Sequence, residues 1–231
     1  MNEIVAWGEE HALLLLLVLA TGVSFGWLLL VRKRLKMSWY VILPIAILHT
    51  LIGVLSVKVF AFLEAGFDPD SLGNMSLFGG VFMMPLAYWL GSKLFKRPCK
   101  EVFDIFTPCM IFTLLCARVN CLLSGCCMGL LIPGLDGLRW PTRELEIVFY
   151  IILLLWLCPR VLHVKTQGTA YPIYMAAYGA FRFIIEWFRT YDGTSIIHRG
   201  HIWALISLIM GLSIYFTQKE RITKQGGKSR K

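Results

Sequence analysis

Long apolar runs constrain this chain more than any other feature. They fall at roughly 11–31, 39–63, 77–95, 101–118, 143–162, 169–188 and 201–217. A helix needs about 20 apolar residues to cross the hydrocarbon of a bilayer. Inside lipid every backbone N–H and C=O must be satisfied within the protein, which leaves helices or a closed barrel. Barrel strands alternate apolar and polar residues, and these runs do not. With 57% hydrophobic and 16% charged residues, the expected fold is all-α: a polytopic membrane protein of about seven transmembrane helices. Residues 1–217 read as a single transmembrane domain, and residues 218–231 as a basic tail that frays.

The net charge of +9 is distributed by topology. Arg32, Lys33, Arg34 and Lys36 follow the first run, and Lys93, Lys96, Arg97 and Lys100 the third. Arg160 and Lys165 follow the fifth, and Lys219, Arg221, Lys224, Lys228, Arg230 and Lys231 the seventh. The intervening loops carry Glu64, Asp68, Asp70, Asp136 and Asp192 instead. Positive charge on alternate loops is the pattern of cytoplasmic loops, so the N-terminus is expected outside and the C-terminus in the cytoplasm. Glu3, Glu9 and Glu10 precede the first run. A signal peptide carries a basic leader there, so this run reads as a retained span. Basic charge tied to loops, without a basic–aromatic module, excludes nucleic acid as a partner and leaves some attraction to anionic membrane lipids.

Two arginines, Arg118 and Arg182, sit in or at the edge of apolar runs. Arginine stays protonated in proteins, so its burial requires a polar cavity or a partner. A planar guanidinium suits phosphate, which makes a lipid headgroup the natural ligand. Arg182 belongs to a stripe, Tyr178, Arg182, Glu186 and Arg189, spaced by four, four and three along one helix face. The same stripe also reads as a structural ion pair between Arg182 and Glu186. In RVNCLLSGCCMG, residues 118–129, helical spacing puts Arg118, Cys121, Gly125 and Gly129 near one face. That face is either a ligand site or a helix end where Arg118 snorkels. Gly79 and Gly80 let a backbone approach another group closely, and Gly22 and Gly26 are expected to allow close helix packing.

The chain has seven cysteines. Cys99 is expected in the reducing cytoplasm. Cys121, Cys126 and Cys127, near the outer face, read as small apolar residues, as a disulfide, or as a reactive thiol. No metal or organic cofactor is expected. C-x4-C-C matches no common zinc spacing, adjacent cysteines rarely share one ion well, and no nucleotide motif stands out. His49 lies within the second run and is a candidate general base or a satisfied core residue. His198 and His201 flank Arg199 before the last run.

Taken together, several segments resemble the bacterial prolipoprotein diacylglyceryl transferase family. MSLFGG (75–80) is similar to its S-F-H-G-G motif, and Asp104 and Pro108 to its D-x-x-x-P stretch. RVNCLLSGCCMG is similar to its G-R-x-G-N-F-x-N-x-E-x-x-G signature, and PTRELE (141–146) to H-P-[ST]-Q-L-Y-E. YGAFRFIIEWFR (178–189) is similar to Y-G-x-x-R-x-x-x-E-x-x-R almost throughout, and Gly200-His201 falls where the family has Gly-Gln. The resemblance implies an enzyme of the bacterial plasma (inner) membrane. It moves diacylglyceryl from phosphatidylglycerol to the lipobox cysteine thiol of a prolipoprotein, releasing glycerol phosphate. It implies that Arg118 and Arg182 hold the lipid phosphate, Tyr178 orients the headgroup, and Glu186 fixes Arg182. Gly79, Gly80 and Gly129 would keep the cavity open. Asn120, Cys121, Gly125, Cys126, Arg189 and His201 complete the expected substrate contacts.

The departures from the family pattern are chemical. The histidine of S-F-H-G-G is Phe78, and the signature Gly-Asn is Asn120-Cys121 with its later Glu replaced by Cys126. The His and Gln of H-P-[ST]-Q are Trp140 and Arg143. The stretch before the next span is also short for the family. With the family histidine absent, His49 substitutes as base or the acceptor chemistry differs. Three readings stand beside the family reaction. They are a phospholipid-dependent transferase with another acceptor, a non-catalytic protein that binds a lipid or partner, and a thiol-redox protein.

Overall fold

The computed structural model describes residues 11–135, 137–164, 166–190 and 197–228, with the side chain of residue 72 and those beyond 220 left aside. Glu3, Glu9, Glu10, Asp136, Lys165, Asp192, Arg230 and Lys231 lie outside the described residues, as do the side chains of Arg221, Lys224 and Lys228. The helices are α1 (Ala12–Leu35), α2 (Trp39–Glu64), α3 (Phe78–Phe82), α4 (Met84–Leu94), α5 (Cys99–Leu123), α6 (Thr142–Leu162), α7 (Ala170–Glu186) and α8 (Arg199–Lys228). A 3₁₀ turn at Pro69–Gly73 lies between α2 and α3, where the Asp68 side chain accepts from the Asp70 N–H at 3.1 Å. The chain is thus an all-α polytopic membrane protein.

Among the described residues, five helices are long and apolar enough to cross a membrane: α1, α2, α5, α6 and α8. The other two expected spans take a different form. The third breaks at Met83 into five- and eleven-residue helices. Pro85 lies in the first turn of α4, where its missing N–H removes no intrahelical bond. The sixth, α7, has 17 residues. The last helix runs past Thr217 to Lys228, because Gln218, Lys219, Glu220 and Arg221 are good helix formers.

The core is organised around α5. Of its apolar window 67% is buried, against 22–33% for the other four long helices. It packs against α1, α4, α6 and α7, while α7 and α8 form the most extensive pair. That pairing needs Gly179, where a Cβ would lie 2.6 Å from the Ala204 carbonyl. Gly22 and Gly26 do not play the expected part, since nothing approaches either position within 4 Å. The buried stripe of α1 is Ala20, Ser24, Leu28, Val31 and Leu35. The two glycines lie two positions out of phase with it and so face away.

The loop between α6 and α7 is fastened to α5 by Asp104. Its Oδ2 accepts from Thr166 Oγ1 and Gly168 N, each at 2.6 Å, and its Oδ1 from Ala170 N at 3.0 Å. A buried carboxylate thereby satisfies orphan donors at the start of α7.

Candidate functional site

Helix α5 delivers Arg118 and Cys121 and then stops. Ser124 caps it, and Gly125 leaves with φ +68°, a left-handed conformation common just past helix ends. The expected single face of Arg118, Cys121, Gly125 and Gly129 is therefore corrected. The first two residues lie on the helix and the glycines lie beyond it. The chain continues into a short hairpin, with Trp140 N–H donating to Leu130 O at 2.9 Å and Ile132 N–H to Leu138 O at 2.8 Å. Its edge pairs with the segment after α7, through Leu130 N–H to Phe188 O at 2.8 Å and Thr190 N–H to Met128 O at 3.2 Å. This pairing fixes Arg189, which has already left α7, beside the end of α5.

At the centre lies a buried charge network. Arg118 from α5 and Arg182 from α7 both pair with Glu146 of α6. Arg182 Nη2 also meets Glu186 Oε2 at 2.9 Å, and Arg189 Nη1 lies 3.7 Å from Glu146 Oε1. Three guanidiniums thus gather around Glu146 and Glu186. Burial and then the charges of Arg182 and Arg118 pull the Arg189 guanidinium below its ordinary pKa. Such a cluster favours an incoming anion, which relieves repulsion among the arginines.

The network borders a cavity of about 530 Å³. Tyr178, Arg182, Glu186, Arg189, Arg118, Asn120, Cys121 and Cys127 all line it, together with Glu64, Phe78 and Arg199. The Tyr178 hydroxyl is buried and has no hydrogen-bond partner among the described residues. The Arg182 guanidinium lies 5.7 Å from the centre of the Phe78 ring, within cation–π range. Across the cavity, Arg199 donates to the Glu64 carbonyl.

Several expected site residues lie elsewhere. His49 does not join the arginines. Its Nε2 is 2.9 Å from Tyr88 Oη, and its ring stacks on Tyr88 and lies tilted against Phe106. Gly79 and Gly129 do not line the cavity either. Their missing Cβ positions are filled by the Ser56 and Trp140 carbonyls, so each serves close backbone packing. At Gly80 a Cβ would lie 3.2 Å from Leu114 Cδ2, which is also packing. Gly125 turns the chain. His201 sits behind the wall, its ring centre 4.6 Å from that of Trp187, with Nδ1 accepting from His198 N–H at 3.2 Å. Gly200 has the tighter role, because a Cβ there would overlap the Glu186 carboxylate.

Glu146 is the residue that sequence reasoning passes over. It stood in PTRELE as part of a resemblance, without a role. A signal was present, since it is the last acidic residue before the uninterrupted run IVFYIILLLWLC. A carboxylate in that position needs buried cations. Which cations supply them depends on how α5, α6 and α7 pack.

The cysteines form a second group. The Sγ atoms of Cys121, Cys126 and Cys127 all lie within 4.8 Å of one another. Cys127 has φ +57°, an uncommon backbone state for a residue with a side chain. A hydrogen bond from Cys121, with Arg189 and Arg118 nearby, holds the Cys127 thiol below the usual thiol range. Arg143 Nη1 donates to the Cys121 and Cys126 carbonyls at 3.5 and 3.4 Å, tying the turn to α6.

Comparison with known proteins bears on this arrangement. The family model for prolipoprotein diacylglyceryl transferase matches residues 15–217. A phosphatidylglycerol–prolipoprotein diacylglyceryl transferase of Dehalococcoides mccartyi is 22% identical over 219 residues, covering 84% of each chain. A protein of the same name from Polaromonas naphthalenivorans is 27% identical over 135 residues, covering 52% of this chain and 49% of its own. Another, from Chlorobaculum tepidum, is 23% identical over 170 residues, covering 66% and 58%.

Proposed function

We propose, from the premise that this chain belongs to the prolipoprotein diacylglyceryl transferase family as a divergent member, that it transfers diacylglyceryl from phosphatidylglycerol to the lipobox cysteine thiol of prolipoproteins. It is a multi-pass protein of the bacterial inner membrane, and family membership supports a diacylglyceryl-transfer type of reaction in general.

The observation that carries the finer reading is the cavity faced by Arg118, Arg182 and Arg189 together. In the proposed reaction the acceptor thiol releases its proton to water and its sulfur attacks the glyceryl carbon bonded to the phosphate oxygen. The C–O bond breaks, the thioether forms, and glycerol phosphate leaves with the charge that develops on its oxygen. Arginines held in place before reaction stabilise that charge without reorganisation. Glu146 and Glu186 act as positioning residues, locking the guanidinium planes. The Tyr178 hydroxyl, buried and unpartnered among the described residues, is free to bond a headgroup oxygen. Phe78, at the position of the family histidine, favours a different means of activating the acceptor, because it supplies no base.

The test is to incubate purified protein with phosphatidylglycerol and a lipobox-cysteine peptide and to weigh the peptide by mass spectrometry. The expected result is a diacylglyceryl mass gain. Arg182→Ala should abolish it, and Arg118→Lys, which keeps the charge but loses the fork, should slow turnover by about 100-fold. Lipid retention without transfer to the thiol would instead direct the search to another acceptor or to a binding role.

A further inference from the structure

The spacing C-x4-C-C matches no common zinc pattern in sequence, but the fold changes the question. Cys121 is in the last turn of α5, and the left-handed turn at Gly125 brings Cys126 and Cys127 back over it. The three Sγ atoms then fall within 4.8 Å of one another. Sulfurs around a tetrahedral zinc-class ion, each about 2.3 Å from the metal, are roughly 3.8 Å apart, so side-chain rotation alone would bring these three into range. Cys121 and Cys127 line the arginine cavity, whereas Cys126 is exposed.

We propose that Cys121, Cys126 and Cys127 bind one zinc-class divalent cation through three thiolates and leave its fourth position open to the arginine cavity, where it takes the acceptor thiol. Three thiolates are the soft ligands such ions select, and three protein ligands with one open position are the mark of a reactive rather than a structural zinc site. Arg118 and Arg189 line the same wall, so cationic side chains face the anionic thiolate cluster. Arg143 holds the two carbonyls that fix the turn.

Glu64 and His198 also line the cavity and could take a proton, but the three-thiol site would generate the thiolate by coordination instead. Phe78 offers no base, and His49 is bonded to Tyr88 away from the arginines. An acceptor thiol bound at the fourth position loses its proton to water on coordination. The resulting thiolate attacks the glyceryl carbon, the C–S bond forms as the C–O bond breaks, and the phosphate monoester departs against the arginines. The cation changes no oxidation state. This role for the site rests on the transferase reading above, whereas cation binding itself does not.

The experiment uses the full chain, reduced and freed of metal in detergent, titrated with cobalt(II) as a spectroscopic substitute for zinc. One equivalent per chain is expected, with thiolate-to-cobalt charge-transfer absorption that intensifies on adding a lipobox-cysteine peptide and not its serine analogue. Cys121→Ser and Cys127→Ser should each lose the absorption, and Cys109→Ser, buried elsewhere in α5, should keep it. A helical circular dichroism spectrum and an unfolding midpoint matching those of the metal-free parent would show that the serine variants fold. Substoichiometric uptake, uptake indifferent to the serine substitutions, or a mass showing that two of the thiols form a disulfide that persists under reduction would overturn the site. Undiminished diacylglyceryl transfer in the doubly substituted Cys121→Ser/Cys127→Ser chain would overturn its role while leaving the transferase reading intact. Cobalt uptake and the peptide response without any transfer would uphold the site and remove the transferase reading.

Discussion

Glu146 meets all three arginines of the cavity while being 2% exposed. Taking charges out of water is expensive, and a buried ion network stays favourable only while its partners are complete. In Glu146→Gln the side chain keeps its size, but Arg118, Arg182 and Arg189 lose the carboxylate they share. The expected loss is about 3 kcal/mol of stability. The same substitution removes one negative charge from beside the cavity. Added phosphatidylglycerol should therefore recover more stability in the variant than in the parent, by the linkage between binding and folding. Thermal unfolding in detergent, with and without the lipid, measures both effects. Equal stabilisation of parent and variant would mean that the lipid phosphate does not meet this network.

Asp104 shows how one side chain can govern an element. It reaches from α5 to three donors at the start of α7, and α7 carries Tyr178, Arg182 and Glu186. Each hydrogen bond to a charged acceptor contributes about 1.5–3 kcal/mol, and the cost of burying the carboxylate offsets much of the sum of three. Asp104→Ala should thus lose about 2 kcal/mol of stability, and Asp104→Asn, which keeps one acceptor oxygen, less. Guanidinium unfolding monitored by tryptophan fluorescence reads this, with lipid binding at the arginine cavity unchanged in the folded fraction. Tyr178, Arg182 and Glu186 were legible in the sequence because spacings of four share a helix face whatever the tertiary fold, whereas Arg189 has left α7 and reaches the cavity through the pairing with residues 128–130. Arg118 was legible because an arginine in an apolar run demands a partner. The partner was not, since Glu146 reaches Arg118, Arg182 and Arg189 only after three separate elements converge. The glycines misled for a related reason. Sequence says that a backbone comes close at Gly79 and Gly129, but not that the neighbour is the Ser56 or Trp140 carbonyl rather than a ligand. At Ser124-Gly125 the stop signal was present, and extending the helical spacing through it placed Gly129 on the wrong element.

The whole molecule separates two ends. At one, Arg34 pairs with Glu101 at 2.9 Å and Arg97 Nη2 donates to the Lys36 carbonyl at 3.1 Å. The basic clusters after α1 and α4 are thereby gathered with the start of α5. At the other, the C-terminal ends of α2, α5 and α7 meet the N-terminal ends of α6 and α8 around the cavity, with Asp68 and Asp70 in the adjoining turn. Basic residues are retained on the cytoplasmic side of a bilayer, so the cavity end is expected to face outward, where a translocated acceptor would meet it. Two single-cysteine chains test this. One keeps Cys99, exposed at the start of α5, as its sole thiol, and the other carries only Asp70→Cys. A membrane-impermeant maleimide should label Asp70→Cys in intact spheroplasts and Cys99 only in inverted vesicles. The reverse pattern would put the arginine cavity in the cytoplasm. It would also place the three-thiol site in a reducing compartment, where an acceptor thiol would have to be modified before export.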